Sequence, residues 1–314
     1  MAVFDKPMCV NLLLFFTLVL FWGCSFIAIR ESLHTFPPFM AAGLRIFLGM
    51  ILLWIYAKLK KRPNTIRGKM LFRMLFLGLL LFFIPWACLF WGEQFVNPSI
   101  ASIINSTVPI FILILSWAMI PDERPTLPST IGVALGFLGM FCVFLPGLQF
   151  HGDQLQLKRG MLSIFLMSVS YAFGGVLMRR WSKGIDMVWA LIFQALSGTI
   201  CLAILSWATG ETIRDTSHVV KSTIGIVYLS VCSTAIASLI YYHLIFQWGT
   251  LKAAAVTYLT PFVAIIVDIL FLRVSPKRHE LFGGLLIMIG ILLIHWAKTK
   301  NIHNFLLRRN PKKT

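Results

Sequence analysis

"ASIINSTVPIFILILSW" occupies residues 101–117 and "AAAVTYLTPFVAIIVDI" occupies residues 253–269; laid one over the other, they place Pro109 on Pro261 at an offset of 152. At 151, Gly132 and Gly139 fall on Gly283 and Gly290. Earlier in the chain, "LRIFLG" (44–49) lies over "FQALSG" (193–198) and matches Gly49 with Gly198. The same arrangement is therefore written twice. Apolar runs extend on either side, at 12–30, 38–57, 70–91, 98–119, 128–145, 160–179, 187–208, 222–246, 253–272 and 280–297. A helix needs about 20 apolar residues to cross the hydrocarbon core, so the runs predict ten transmembrane helices, five in each copy. Five is odd, so the second copy enters the membrane upside down relative to the first. The expected architecture is an all-α membrane protein of two inverted five-helix repeats, an arrangement that places a binding site near midplane where the repeats meet.

The composition agrees. Of 314 residues, 58% are hydrophobic and 12% charged, where soluble domains carry about 25% charged residues. A formal charge of +17 on a soluble chain would suggest nucleic acid. Here the basic residues stand in short connections between apolar runs and report topology instead. With both termini cytoplasmic, nineteen Lys and Arg fall on the inner side and eight on the outer, with Arg45 inside a span. Arg273, Lys277 and Arg278 in the last outer connection run against that bias. The expected partners are membrane lipids and a small-molecule substrate, with no nucleic acid, in a bacterial cytoplasmic (inner) membrane. The six cysteines lie in or beside apolar runs without ligand spacing and read as small core residues; no metal or cofactor is expected. The first run has only Lys6 as a basic flank and no A-x-A site, so it reads as a retained helix rather than a signal peptide.

Several stretches carry a family resemblance. "FWGCSFIAIR" (21–30), Arg45, "IPDERPTLPSTIGVALGFLG" (120–139) and "YYHLIFQWGTLKAAAVTYLTPFVAII" (241–266) resemble the EamA domain of the drug/metabolite transporter superfamily, over roughly residues 12–297. On that resemblance, residues 12–145 form a first five-helix repeat, 146–159 a linker, 160–297 a second repeat and 298–314 a basic cytoplasmic tail. The pattern departs at one place: Glu123 fits the family glutamate after the fourth helix, but Val274 stands at the equivalent position after the ninth. The resemblance implies a central cavity between the halves and transport of small metabolites, often outward.

Apart from Arg30, Arg73, Arg179 and Glu280 at or near span ends, only two charges, Arg45 and Asp268, lie within the spans. An intramembrane charge costs roughly 2.5–3.5 kcal/mol on insertion scales and usually faces the bundle interior or a wet cavity. Arg45 is about 10–12 Å deep at 1.5 Å per residue. It either bonds backbone carbonyls at a helix break, such as those near Pro85 or Pro109, or meets an anionic group of the substrate. Asp268 is only about 6 Å from the outer end of its span. It either pairs with Arg273, Lys277 or Arg278 at the mouth or carries a coupling proton. Pro109 and Pro261 each remove a helix hydrogen bond and free a carbonyl, so they are candidate hinges. Asn105 and Thr257 stand on the small, polar stripes that include those prolines. Trp22, Trp86, Tyr241 and Tyr242 join flat apolar bodies to polar handles and are candidate substrate contacts. The expected function is secondary transport, with export of an amino acid or similar amphipathic solute. The competing class is a membrane-embedded enzyme acting on a lipid-linked substrate. Enzyme chemistry would need paired carboxylates, a His–Asp pair or a metal cluster. The chain offers Asp122-Glu123 on a short turn and isolated His243 and His295, so no catalytic residue is assigned. It also lacks the G-x-x-x-x-G-K-[ST] loop of an ATP-driven pump.

Overall fold

Without water to bond to, a segment in lipid must satisfy its own backbone, and the apolar runs do so by forming helices. The structure, a computed structural model, describes residues 6–96, 98–120, 125–144, 154–182, 184–213, 215–263 and 278–308. Asp268, Glu123 and Val274 lie outside these residues. Along the first half run α1 (Lys6–Gly23), α2 (Ser25–Ser32), α3 (Pro38–Leu59), α4 (Gly68–Gly78), α5 (Ile84–Gly92), α6 (Pro98–Asn105), α7 (Val108–Met119) and α8 (Leu127–Phe144). The second half contains α9 (Gln154–Trp181), α10 (Met187–Ala208), α11 (Val219–Ser230), α12 (Ala237–Trp248), α13 (Thr250–Ala254), α14 (256–263) and α15 (Arg278–Arg308). Wider π-helical turns join α4 to α5 (Leu79–Phe83) and α11 to α12 (Val231–Ile236).

Among the described residues, seven helical spans are long and apolar enough to cross a membrane: Met8–Ser32, Pro38–Leu59, Gly68–Gly92, Ile100–Met119, Gln154–Trp181, Met187–Ala208 and Val219–Trp248. Leu127–Cys142 and Phe282–Trp296 are shorter apolar helices. Two boundaries differ from the sequence reading. Helix α9 starts at Gln154, inside the expected linker, because Gln154 to Arg159 are good helix formers with no breaker among them. Helix α15 runs to Arg308, through most of the expected tail, because no Gly or Pro stands between Gly290 and Pro311. The outward faces are apolar. On α10, Ile200, Ile204 and Trp207 share one stripe and are exposed, where a water-facing helix would present charge.

The glycines matched in sequence are where the halves touch. A Cβ on Gly132 would lie 2.6 Å from the carbonyl oxygen of Gly290, and one on Gly139 would lie 2.6 Å from that of Gly283. The order is reversed along the two helices, so α8 and α15 cross antiparallel. Gly49 of α3 presses on the second π-turn, with its would-be Cβ 2.8 Å from Thr234 Cγ2. Gly198 of α10 presses on the first, 2.6 Å from Phe82 Cβ. Van der Waals packing is what holds helices together in lipid, and small residues let backbones approach. The ends of α3 and α10 are tied in the same reciprocal way. The Glu211 carboxylate, beyond the end of α10, accepts the free N–H groups of Phe39 (3.0 Å) and Met40 (2.8 Å) at the start of α3. Asp186, which caps α10, takes a 2.8 Å ion pair from Arg62, beyond the end of α3. Trp189 Nε1 donates to the Arg62 carbonyl at 3.0 Å.

Candidate functional site

Arg45 is fully buried on α3. Its Nε donates to Thr234 Oγ1 at 2.8 Å and its Nη2 to the Ser233 carbonyl at 3.2 Å. The guanidinium carbon sits 3.7 Å from the centre of the Trp86 ring. One of the two alternatives read from the sequence has Arg45 bond backbone carbonyls at a helix break, such as those near Pro85 or Pro109. The break that holds it is instead the π-turn at 231–236, where the widened winding offers a carbonyl without a proline. Arg45 Nη1 has no partner.

Beside the Arg45–Trp86 stack lies a narrow cavity of about 30 Å³, with room for little more than a water. Trp22, Ser25 and Phe26 form one wall, Pro85, Trp86 and Leu89 another, and Met167 and Tyr171 a third, with Asn105 and Thr257 completing it. Tyr241 closes one side: its ring centre is 5.0 Å from Trp22 and 5.7 Å from Tyr171, against which it stacks. Three further buried donors here are unpartnered, namely Trp22 Nε1, Trp86 Nε1 and Tyr241 OH.

The two proline breaks meet at this cavity. Pro109 stands in the first turn of α7, where its missing N–H costs the helix least, and the chain turns at Ser106 and Thr107 to reach it. Pro261 lacks the N–H that would bond the Thr257 carbonyl four residues earlier. That freed carbonyl accepts Ser106 Oγ at 3.0 Å, across the junction between halves, and Thr260 Oγ1 at 3.1 Å. Asn105 and Thr257, equivalent in the overlay, thus face one cavity from opposite halves.

Of the residues singled out from sequence, the structure brings Trp22, Trp86, Asn105 and Thr257 to the cavity wall and sets Arg45 and Tyr241 directly behind it. Tyr242 is not brought there. Its hydroxyl donates to Gln194 Oε1, the residue matched with Arg45 in the overlay, in a buried cluster with Met74 and Met178. Adjacent residues on a helix point about 100° apart, so Tyr241 and Tyr242 could not both face one wall. Asp268 lies outside the described residues. Tyr171 was missed; in sequence it is one aromatic within a long apolar helix. Glu93 was missed too, because it falls just past the end of its span.

A family model decides the identity: that of the EamA-like transporter family matches the chain twice, at residues 10–145 and 158–296. The chain belongs to the EamA-like transporter family. This EamA-like protein is 22% identical over 277 residues to the uncharacterized transporter YoaV of Bacillus subtilis, covering 88% of this chain and 94% of YoaV. It is 28% identical over 255 residues to the uncharacterized inner membrane transporter YedA of Escherichia coli, covering 80% and 79%. One solved crystal structure superposes with a TM-score of 0.75 at 17% identity, over 93% of the EamA-like chain and 98% of the other; the two share a fold. The protein is an integral membrane transporter.

Proposed function

We propose that this protein is a secondary transporter that exports a small metabolite, an amino acid or similar amphipathic solute, by alternating access between two inverted five-helix repeats. The repeats are residues 12–145 and 160–297, joined by 146–159, in a bacterial cytoplasmic membrane with both termini and the 298–314 tail on the cytoplasmic side. One observation supports the substrate class above all. Four buried donors on or behind the cavity wall (Arg45 Nη1, Trp22 Nε1, Trp86 Nε1 and Tyr241 OH) lack acceptors, and an unsatisfied buried donor costs about 1–3 kcal/mol. A carboxylate would accept from several of them at once, while the Trp22, Tyr171 and Tyr241 rings would cover an apolar side chain.

A cavity of about 30 Å³ cannot hold such a solute, so loading requires its walls to part. The reciprocal contacts between halves suit that motion. The glycine crossings and the two π-turns are places where one half can rock on the other, and Pro109 and Pro261 would bend the helices that meet at Asn105 and Thr257. Asp268 would gate the outer mouth by pairing with Arg273, Lys277 or Arg278.

The test is flux. Purified protein in liposomes should catalyse counterflow of a labelled aromatic or branched amino acid. Tyr241→Phe, which deletes one donor and keeps the ring, and Trp86→Phe, which deletes the indole N–H and leaves a smaller aromatic ring, should each raise the half-saturating concentration about tenfold or more, because a hydrogen bond to a charged group is worth about 1.5–3 kcal/mol. Uptake of amines but not acids, or wild-type affinity in both variants, would refute the carboxylate reading.

A further inference from the structure

At the end of the bundle opposite the N-terminus there is a second pocket, of about 260 Å³, lined by Arg30, Leu33 and His34 from the end of α2 and by Glu93 to Val96 after α5. Glu93 forms its inner boundary. The residue is only 7% exposed, and neither carboxyl oxygen has a hydrogen-bond partner. It also caps the C-terminal end of α5, where the helix dipole repels negative charge. A buried carboxylate with no donors, at the negative end of a helix, is a poor place to leave a charge. Glycine packing creates the burial: a Cβ on Gly92 would lie 2.7 Å from Ile164 Cγ1 and 3.0 Å from the Gly160 carbonyl oxygen, so α9 seals this end of α5.

We propose that Glu93 is a proton-binding site served by this pocket, taking up and releasing a proton as the transporter cycles. A hydronium ion in the pocket gives up the proton: one of its O–H bonds breaks as the new O–H bond forms on a Glu93 oxygen, leaving water, and release runs the same step in reverse. Burial raises its proton affinity well above that of an ordinary carboxylate, while Arg45 and Arg30 act in the opposite sense. The other charged or titratable groups around it are few. Helix α2 also carries Glu31 and is followed by His34, which lies against His218 of the second half with ring centres 5.4 Å apart. On α9, Lys158 and Arg159 precede Gly160 and are exposed; α6 carries no charged residue.

The position ties the proton to the solute site. Arg45 acts electrostatically on Glu93 and stacks on Trp86 of the cavity wall. An anionic solute at Arg45 would compete with the Glu93 carboxylate for the same cation, so protonation of Glu93 and binding of an anion favour each other reciprocally. This linkage rests on the carboxylate reading above; the proton site itself does not.

Infrared difference spectroscopy of the full chain in liposomes, titrated with pH and without any solute, tests the site. The C=O stretch of a protonated carboxylic acid should persist to pH values where free glutamate is ionised, then disappear as pH rises. Glu93→Gln should abolish this band. Glu93→Asp, which retains a carboxyl and covers the case in which the amide variant does not fold, should shift it in frequency. A wild-type protein without a band titrating above the ordinary carboxylate range would overturn the proposal, as would a band unchanged in the variants. Because no solute is present, failure of the carboxylate reading leaves this result intact, and the reverse also holds.

Discussion

Arg45 and Thr234 can be separated by a double-mutant cycle whose size follows from the structure. The 2.8 Å bond from Arg45 Nε to Thr234 Oγ1 joins a buried charged donor on α3 to a hydroxyl in the π-turn of the other half. Thr234→Val keeps the side-chain shape and removes the acceptor. In the parent this leaves a charged N–H unpaired, and hydrogen bonds to charged groups contribute about 1.5–3 kcal/mol. In an Arg45→Gln background the cation is gone, and the same change should cost little beyond the methyl-for-hydroxyl exchange. The coupling energy should therefore be about 1.5–3 kcal/mol, or roughly 10- to 150-fold in the unfolding equilibrium at 1.4 kcal/mol per decade. Reversible denaturation of the four proteins in one detergent measures it. If Thr234→Val costs the same in both backgrounds to within about 0.5 kcal/mol, the bond does not tie the halves together. Arg45→Lys, which keeps charge but loses the planar fork, should fall between parent and Arg45→Gln.

Gly290→Ala would put a methyl 2.6 Å from the Gly132 carbonyl oxygen and 2.8 Å from the Gly136 nitrogen. Backbone cannot yield as a side-chain end does, so thermal unfolding should show a loss of about 1–3 kcal/mol, typical of overpacking; Gly284→Ala, whose nearest atom is Phe262 Cε1 at 3.4 Å, should cost much less. Cysteine labelling should find the 58–69 connection and both termini on the cytoplasmic side and the 146–159 link outside, and a cytoplasmic 146–159 would break the inverted-repeat proposal. Asp268→Asn should impair transport generally and be partly repaired by a charge swap with Arg273. Loss of accumulation alone, with exchange intact, would instead make Asp268 a coupling group.

Much of this protein is legible in its sequence because lipid leaves a segment few options. Runs such as 38–57 and 187–208 must be helical to satisfy their own backbone, and they are. Repeated features could also be read directly: Gly132, Gly139, Gly283 and Gly290 mark close crossings because only glycine permits them, and an arginine in an apolar helix must find partners inside. Which partners it finds is a tertiary matter. The turn at 231–236 contains neither glycine nor proline, so nothing local announces that Ser233 and Thr234 will receive Arg45. Tyr241 and Tyr242 are chemically alike, and only the rotation of α12 against α9 and α10 sends one toward the cavity and the other to Gln194. Glu93 looks like an ordinary loop carboxylate one residue past a helix. It is buried because Gly92 lets α9 close over it, a contact between residues 68 positions apart in the chain (92 and 160) that no local pattern of hydropathy encodes.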